Sequence, residues 1–165
     1  MTPAITLDEL LAWDDETSKI WKAHLDANPA LLVLPCGIDG AANVMQLVGH
    51  IWGGELRWGQ RIAGLPPIAK EDVPAGPLAA LFDLHVKAAG IFRALLDDPA
   101  FEWDEKMTLD FPWLPPNLRS SSRRKVAAHA LFHGQRHWAQ LATLVRTAGF
   151  PTGFEGDILF SSALT

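Results

Sequence analysis

One cysteine, Cys36, stands in 165 residues, so no internal disulfide can form and the chain suits a reducing compartment. No apolar run approaches the roughly 20 residues that a membrane span requires. The opening stretch, Met1 to Glu16, has no basic segment followed by an apolar one. No secretory leader is expected on that ground, and the expected location is the cytoplasm. Positive charge is scarce as well: 14 Lys and Arg against 19 Asp and Glu give a formal net charge of -5. A nucleic-acid partner would want a basic face. The one basic cluster, Arg119, Arg123, Arg124 and Lys125, falls at an expected helix start and reads as a solvated surface. Neither nucleic acid nor membrane is therefore expected as a partner. Period-two alternation is nearly absent, and there is no internal repeat and no low-complexity tract, which argues against sheet-based or repetitive architectures.

What is present is an ordinary globular composition, 48% hydrophobic and 20% charged, in a chain long enough to bury a core as one domain, 1–165. Four segments carry apolar residues at three- and four-residue spacing, the mark of an all-α chain. The first spans Thr6 to Asn28, with Thr6 and Glu9 at capping-box spacing and Asn28-Pro29 as its end. Its stripe of Leu7, Leu10, Leu11, Ile20, Trp21 and Leu25 is interrupted by Asp14, Thr17 and Ser18, which are expected to face solvent. The second spans Asp39 to Ala63, on Val44, Leu47, Val48, Ile51, Trp58 and Ile62, and closes at Gly64 and Pro66-Pro67. The third begins at Pro77 and ends before Pro99, with Leu78, Phe82, His85, Ala89, Phe92 and Leu96 on one face. The fourth starts among Ser120, Ser121 and Ser122 and runs to Ala148, stopped by Gly149 and Pro151. Four amphipathic helices of similar length make a four-helix bundle. The proline-rich linker from Gly64 to Gly76 can run the length of a helix, so the second and third helices can lie parallel. The irregular stretch from Pro99 to Ser120 has the length of a functional or lid-like loop. The tail from Phe150 is expected to pack across one end of the bundle.

Six histidines carry the chemistry: His24, His50, His85, His129, His133 and His137. The last three stand four residues apart on one helix, so neighbouring rings lie about 6 Å apart along the axis on one face and can converge on an ion. His129 and His137, about 12 Å apart, are too distant to share one. The pair is therefore His129 with His133 or His133 with His137. Imidazole suits Zn, Ni, Fe or Cu better than Mg or Ca. Gly134 stands where the zincin helix carries its catalytic Glu, which excludes a metalloprotease of that type. A third ligand must come from another helix. His50 has Gly49, Gly53 and Gly54 around it, a costly pattern in a helix that implies close approach by a neighbour. His85, on the apolar stripe of the third helix, is the rival and is expected to be a satisfied core residue; His24 is expected at the surface.

The stretch LVGHIWGGELRWGQRIAG, Leu47 to Gly64, followed by HALFHGQRHWAQLATLVRTAG, His129 to Gly149, resembles the DinB/YfiT-like metalloprotein superfamily. That family has a helix-two His with Glu five residues later, here His50 and Glu55. It also has a His-x-x-x-His pair with Gln three residues on, then an arginine and a glycine, here His133, His137, Gln140, Arg146 and Gly149. The resemblance implies a DinB-like bundle of up-down-down-up topology, one Zn2+ or Ni2+ on His50, His133 and His137, and a homodimer. His129 would then lie beside the metal, not on it. The family commonly follows its second His with Arg-Gly, where this chain has Trp138 and Ala139.

Three neutral imidazoles leave an open coordination position, the feature of a catalytic site. Such a site serves hydrolysis through an activated water or conjugation through an activated thiol. Characterised members of the similar family use low-molecular-weight thiols, which implies a thiol-dependent S-transferase or a hydrolase. The competing expectation is a non-catalytic stress or interaction protein with the metal as a clasp. Gln140 is expected to orient a ligand imidazole. Arg57 and Arg61 are expected at the surface, with capture of a substrate carboxylate as the rarer role. Cys36 is expected to be an inert loop residue, and Trp52, Trp58 and Trp138 either wall a pocket or fill the core.

Overall fold

The computed structural model describes residues 4–164. Four α-helices dominate the described residues: α1 Leu7–Ala27, α2 Val44–Ile62, α3 Leu78–Asp97 and α4 Arg123–Thr147. Two three-residue strands, β1 Lys106–Thr108 and β2 Ser120–Ser122, pair antiparallel with Met107 opposite Ser121. Local chemistry explains the helix starts. Thr6 accepts the Glu9 amide at 3.1 Å while Glu9 accepts the Thr6 amide at 2.6 Å, a complete capping box. Asn43 accepts the Gln46 amide and Ser122 the Lys125 amide at the starts of α2 and α4. Gly64 at φ +70 and Gly149 at φ +88 take the left-handed conformation that ends α2 and α4.

One expected boundary moves. The second helix begins at Val44, five residues after Asp39, because Asp39 (φ +49) and Gly40 (φ +79) fold into a tight turn closed by a bridge between Pro35 and Asn43. That turn brings Asp39 beside α2 instead of onto it.

Contacts fix the relative directions. Gly49 faces Leu81, Glu55 meets His85 and Gly59 abuts Phe92, so α2 and α3 run parallel. Ser18 bonds Trp52 and Asp15 bonds His85, so α1 opposes both. Gly134 lies against Asp14 and Trp138 stacks on Trp21, so α4 runs with α1.

The apolar interior is divided in two. One cluster gathers Trp21, Leu25, Val48, Trp52, Leu81 and Trp138; the other gathers Leu11, Ile62, Phe92, Val126 and Leu131. The three tryptophans of the first are 0–2% exposed, and burial of a side chain that size stabilises by about 4–6 kcal/mol as an upper bound. Core packing is thus what Trp52 and Trp138 do. Between the clusters, at mid-height on all four helices, lies a polar layer: Asp14, Thr17, Ser18, Glu55, His85 and His137, all buried. The expectation that Asp14, Thr17 and Ser18 face solvent is corrected here. Thr17 returns its hydroxyl to the Trp13 carbonyl at 2.8 Å, and Ser18 accepts the Trp52 indole N–H at 3.1 Å, so both are satisfied without water.

On α3 the buried set is Leu78, Leu81, Leu84, His85, Ala88 and Phe92, while Phe82, Ala89 and Leu96 are only half-buried. The stretch after Pro99 folds over the second apolar cluster, with Leu109 buried and Phe101, Trp103, Met107 and Phe111 packed against it. The tail does not cap an end. Phe154 packs edge-on against Trp21 and His24, and Ser161 and Ser162 bond Glu16, so the tail lies along α1. His24 is accordingly half-buried rather than a surface residue. No described helix is long and apolar enough to cross a membrane.

Candidate metal centre

The fold brings His50, His133 and His137 together. His50 Nε2 lies 3.2 Å from His133 Nε2, and His133 Nε2 lies 3.3 Å from His137 Nε2. The antiparallel run of α2 and α4 sets His50 opposite the i, i+4 pair, and Gly54 leaves room for the His133 ring, whose Cε1 would sit 3.9 Å from an added Cβ. Of the two pairs open from spacing, His133 with His137 is the one that meets His50. The ring of His129 instead packs against Trp58 and His133. A fourth group, Asp39, was invisible to helical spacing: its Oδ2 lies 3.0 Å from His50 Nε2. The signal that marks it is the Gly37-Ile38-Asp39-Gly40 turn, which returns the chain to the helix it precedes.

The donor set fits a cation. Gln140 Oε1 accepts the Nδ1–H of His137 at 2.8 Å, which fixes the tautomer and leaves Nε2 as a lone pair. Arg136 donates to that lone pair at 3.0 Å. Burial lowers the pKa of His133 to about 3, aided by His137, His50, Arg136 and His129. Burial likewise lowers His50 and His137. All three rings are therefore neutral near pH 7, the form that ligates. Nitrogens about 2.0–2.1 Å from a tetrahedral Zn2+ stand about 3.3 Å apart, which is the separation seen in both pairs. Two lone pairs at that distance repel unless a proton or a cation lies between them. Asp39, His50, His133 and His137 together form a group able to hold a metal ion.

A cavity of about 570 Å3 opens beside His50 and is lined by Gly49, Val73, Arg57 and Lys70. Arg57 and Arg61 are half-buried, not at the surface. Arg61 stacks on Trp58 and Phe111, with its guanidinium carbon 5.3 and 5.2 Å from the ring centres. Arg57 forms no ion pair among the described residues, and burial followed by the field of Arg61 lowers its pKa. An unpaired, partly desolvated guanidinium facing a cavity favours an anionic ligand. Two of the three glycines around His50 face the linker and not the histidine cluster: Val73 presses on Gly49 and Gly53, at 3.3 and 2.9 Å from an added Cβ. Cys36 is half-buried in the loop before α2.

The polar layer holds a second group on the other side of α2. His85, 0% exposed, faces Glu55 Oε2 from Nδ1 at 3.0 Å and Asp15 Oδ1 from Nε2 at 3.1 Å. Asp14 Oδ2 lies 3.9 Å from the same Nδ1. His85 is a core residue with both nitrogens engaged, as expected of it, and it does not reach the three-histidine cluster. Burial works against its charge, but hydrogen bonds to Asp15 and Glu55 and the field of Glu55 and Asp14 raise its pKa to about 10. Burial, and then Glu55, raises Asp14 well above the usual carboxylate range. No protein-family model matches the chain, and no curated protein matches it either.

Proposed function

We propose that the chain is a metal-dependent enzyme of the DinB/YfiT-like superfamily that binds one Zn2+ or Ni2+ on His50, His133 and His137. Its reaction on this reading is thiol-dependent S-transfer, with hydrolysis as the variant in which water replaces the thiol. The observation that carries the reading is the convergence of three neutral Nε2 atoms at 3.2 and 3.3 Å from two facing helices. The family assignment draws support from the pairing of directions, α1 with α4 and α2 with α3, and from Gln140 bonding His137.

When bound, the cation supplies a Lewis acid that lowers the pKa of a thiol or water at its open position. The protein's own part is positioning. Gln140 holds the His137 ring so that Nε2 faces the centre. Arg57 and Lys70 line the adjoining cavity and favour a carboxylate on the thiol. Arg136, now on His137 Nε2, is freed once that lone pair is occupied, and it can then meet an anionic group of the ligand.

A second reading is favoured by Asp39. Its Oδ2 sits 3.0 Å from His50 Nε2 and would complete a four-ligand, closed site of structural type. The chain is then a metal-clasped stress or interaction protein without catalysis. Elemental analysis of protein purified without a nickel column tests the ligand set: about one Zn or Ni per chain is expected, lost in His137→Ala. Full metal content in that variant overturns the assignment. A low-molecular-weight thiol consumed with a generic electrophile by wild type, and not by His137→Ala, then separates enzyme from clasp.

A further inference from the structure

We propose that Asp14, Glu55 and His85 form a second cation site, independent of the three-histidine cluster, for one divalent ion of the Mn2+ or Fe2+ class. The three residues come from α1, α2 and α3 and meet around a single point, with their ligand atoms all within 4.8 Å of one another. They are 2%, 4% and 0% exposed. Two buried carboxylates face one imidazole, whose Nδ1 is engaged by Glu55 Oε2 at 3.0 Å. Asp14 Oδ2 and Glu55 Oε1 are buried with no hydrogen-bond partner. α4 crosses over Asp14 at Gly134, which brings no side-chain donor to it. Orphaned carboxylate oxygens in an apolar interior cost several kcal/mol unless a positive centre meets them.

The surroundings match a ligand sphere. A metal-bound histidine donates its other ring N–H to a carboxylate, and His85 Nε2 faces Asp15 Oδ1 at 3.1 Å while Nδ1 faces the interior. Asp15, outside the three ligands, is the partly exposed carboxylate of the layer. Two carboxylates and one imidazole give mixed oxygen and nitrogen donors, which suit Mn2+ and Fe2+ better than an all-nitrogen site does. Two carboxylate charges balance a dication, so the ion takes the place of the protons that otherwise hold the cluster together. Trp52 and Phe82 pack against the His85 ring, at 6.4 and 5.5 Å between centres, and keep water out. Glu55 stands five residues beyond His50, about 7.5 Å along the α2 axis, so the two centres share a helix and no ligand.

The test is a Mn2+ titration of chelator-stripped protein, followed by the electron paramagnetic resonance signal of free Mn2+. Wild type is expected to bind one Mn2+ per chain, and His133→Ala to bind it equally well. Asp14→Asn and Glu55→Gln, both near-isosteric, are expected to weaken it by at least about a hundredfold, and Asp15→Asn by about ten- to a hundredfold through the orientation of His85. Folding of each variant is checked by its near-ultraviolet dichroism. Asp15, being partly exposed, is the variant least able to disturb the core. No Mn2+ bound by folded wild type overturns the proposal and leaves a proton-sharing cluster. Binding lost in His133→Ala but kept in the carboxylate variants also overturns it. Neither result touches the three-histidine reading, which is judged by Zn or Ni content.

Discussion

Val73 leaves the linker and sets its two methyls on α2 where Gly49 and Gly53 have no side chain. An added Cβ at Gly53 would meet Val73 Cγ2 at 2.9 Å, closer than packed carbons allow, whereas at Gly54 the nearest atom is 3.9 Å away. Gly53→Ala is therefore expected to destabilise by about 1–3 kcal/mol through overpacking. Gly54→Ala is expected to be neutral or to stabilise by up to about 1 kcal/mol through helix propensity. Urea midpoints of both variants, with Gly53→Ala repeated on a Val73→Ala background that relieves the clash, check this. A second residue carries a pH signature. His24 has a buried Nε2 without a partner, and burial lowers its pKa below 6.5. A ring whose folded pKa is depressed gives stability that is present above pH 6.5 and is lost as pH falls toward the folded value. The drop in melting temperature between pH 7.5 and 5.5 should be smaller in His24→Phe than in wild type. At this scale the sequence hid most of what matters. Asp14 reads as a solvent residue, and its burial depends on Glu55 and His85, far away in the chain. Asp39 reads as a helix residue, and its approach to His50 depends on a left-handed turn.

Helices were far more legible. α1, α3 and α4 begin and end within a residue or two of their caps and prolines, because Thr6, Ser122, Gly149 and Pro99 act on the backbone next to them. The spacing of His133 and His137 is a property of one helix and was readable for the same reason. Which helix supplies the third ring depends on how α2 and α4 face each other, and no local rule fixes that. The tail shows the same limit. Its position along α1 depends on Glu16, whose carboxylate accepts from the Ser161 hydroxyl, from the Ser162 amide at 3.2 Å and from the Ser162 hydroxyl at 3.1 Å. Those bonds, Ser161 foremost, lower the Glu16 pKa. Glu16→Ala is expected to release the segment Ile158–Phe160 while the helices stay folded. Limited proteolysis should cut the tail faster in the variant, and tryptophan emission should shift to the red as Phe154 leaves Trp21. A cooperative loss of helix dichroism would instead show that the tail is part of the core.

For the molecule as a whole, the polar layer is the organising feature: it lies between two apolar clusters and holds Asp14, Glu55, His85 and His137, each at most 4% exposed. A bundle interrupted in this way is stabilised by whatever satisfies the layer. A cation that binds only the folded chain adds about 2.7 kcal/mol at a hundredfold excess over its Kd. In a chain of 165 residues that is about 5–10 °C in melting temperature. In protein loaded with Zn2+ alone, its removal should lower the melting temperature by that amount in wild type, and His137→Ala should lack this shift. Asp39→Asn then decides what kind of site it is. Asp39 is about half-exposed and sits on a turn with Gly40 at φ +79, so the substitution changes the ligand set without disturbing the core. If Asp39 closes the coordination sphere, the asparagine variant loses much of the chelation shift, because a charged ligand has become a weak neutral one. If the fourth position belongs to a small molecule, the shift survives and wild-type protein gains further melting temperature when a thiol is added. Differential scanning calorimetry of the two proteins, with and without metal and thiol, distinguishes a fastening from a reaction centre by the protein's own stability.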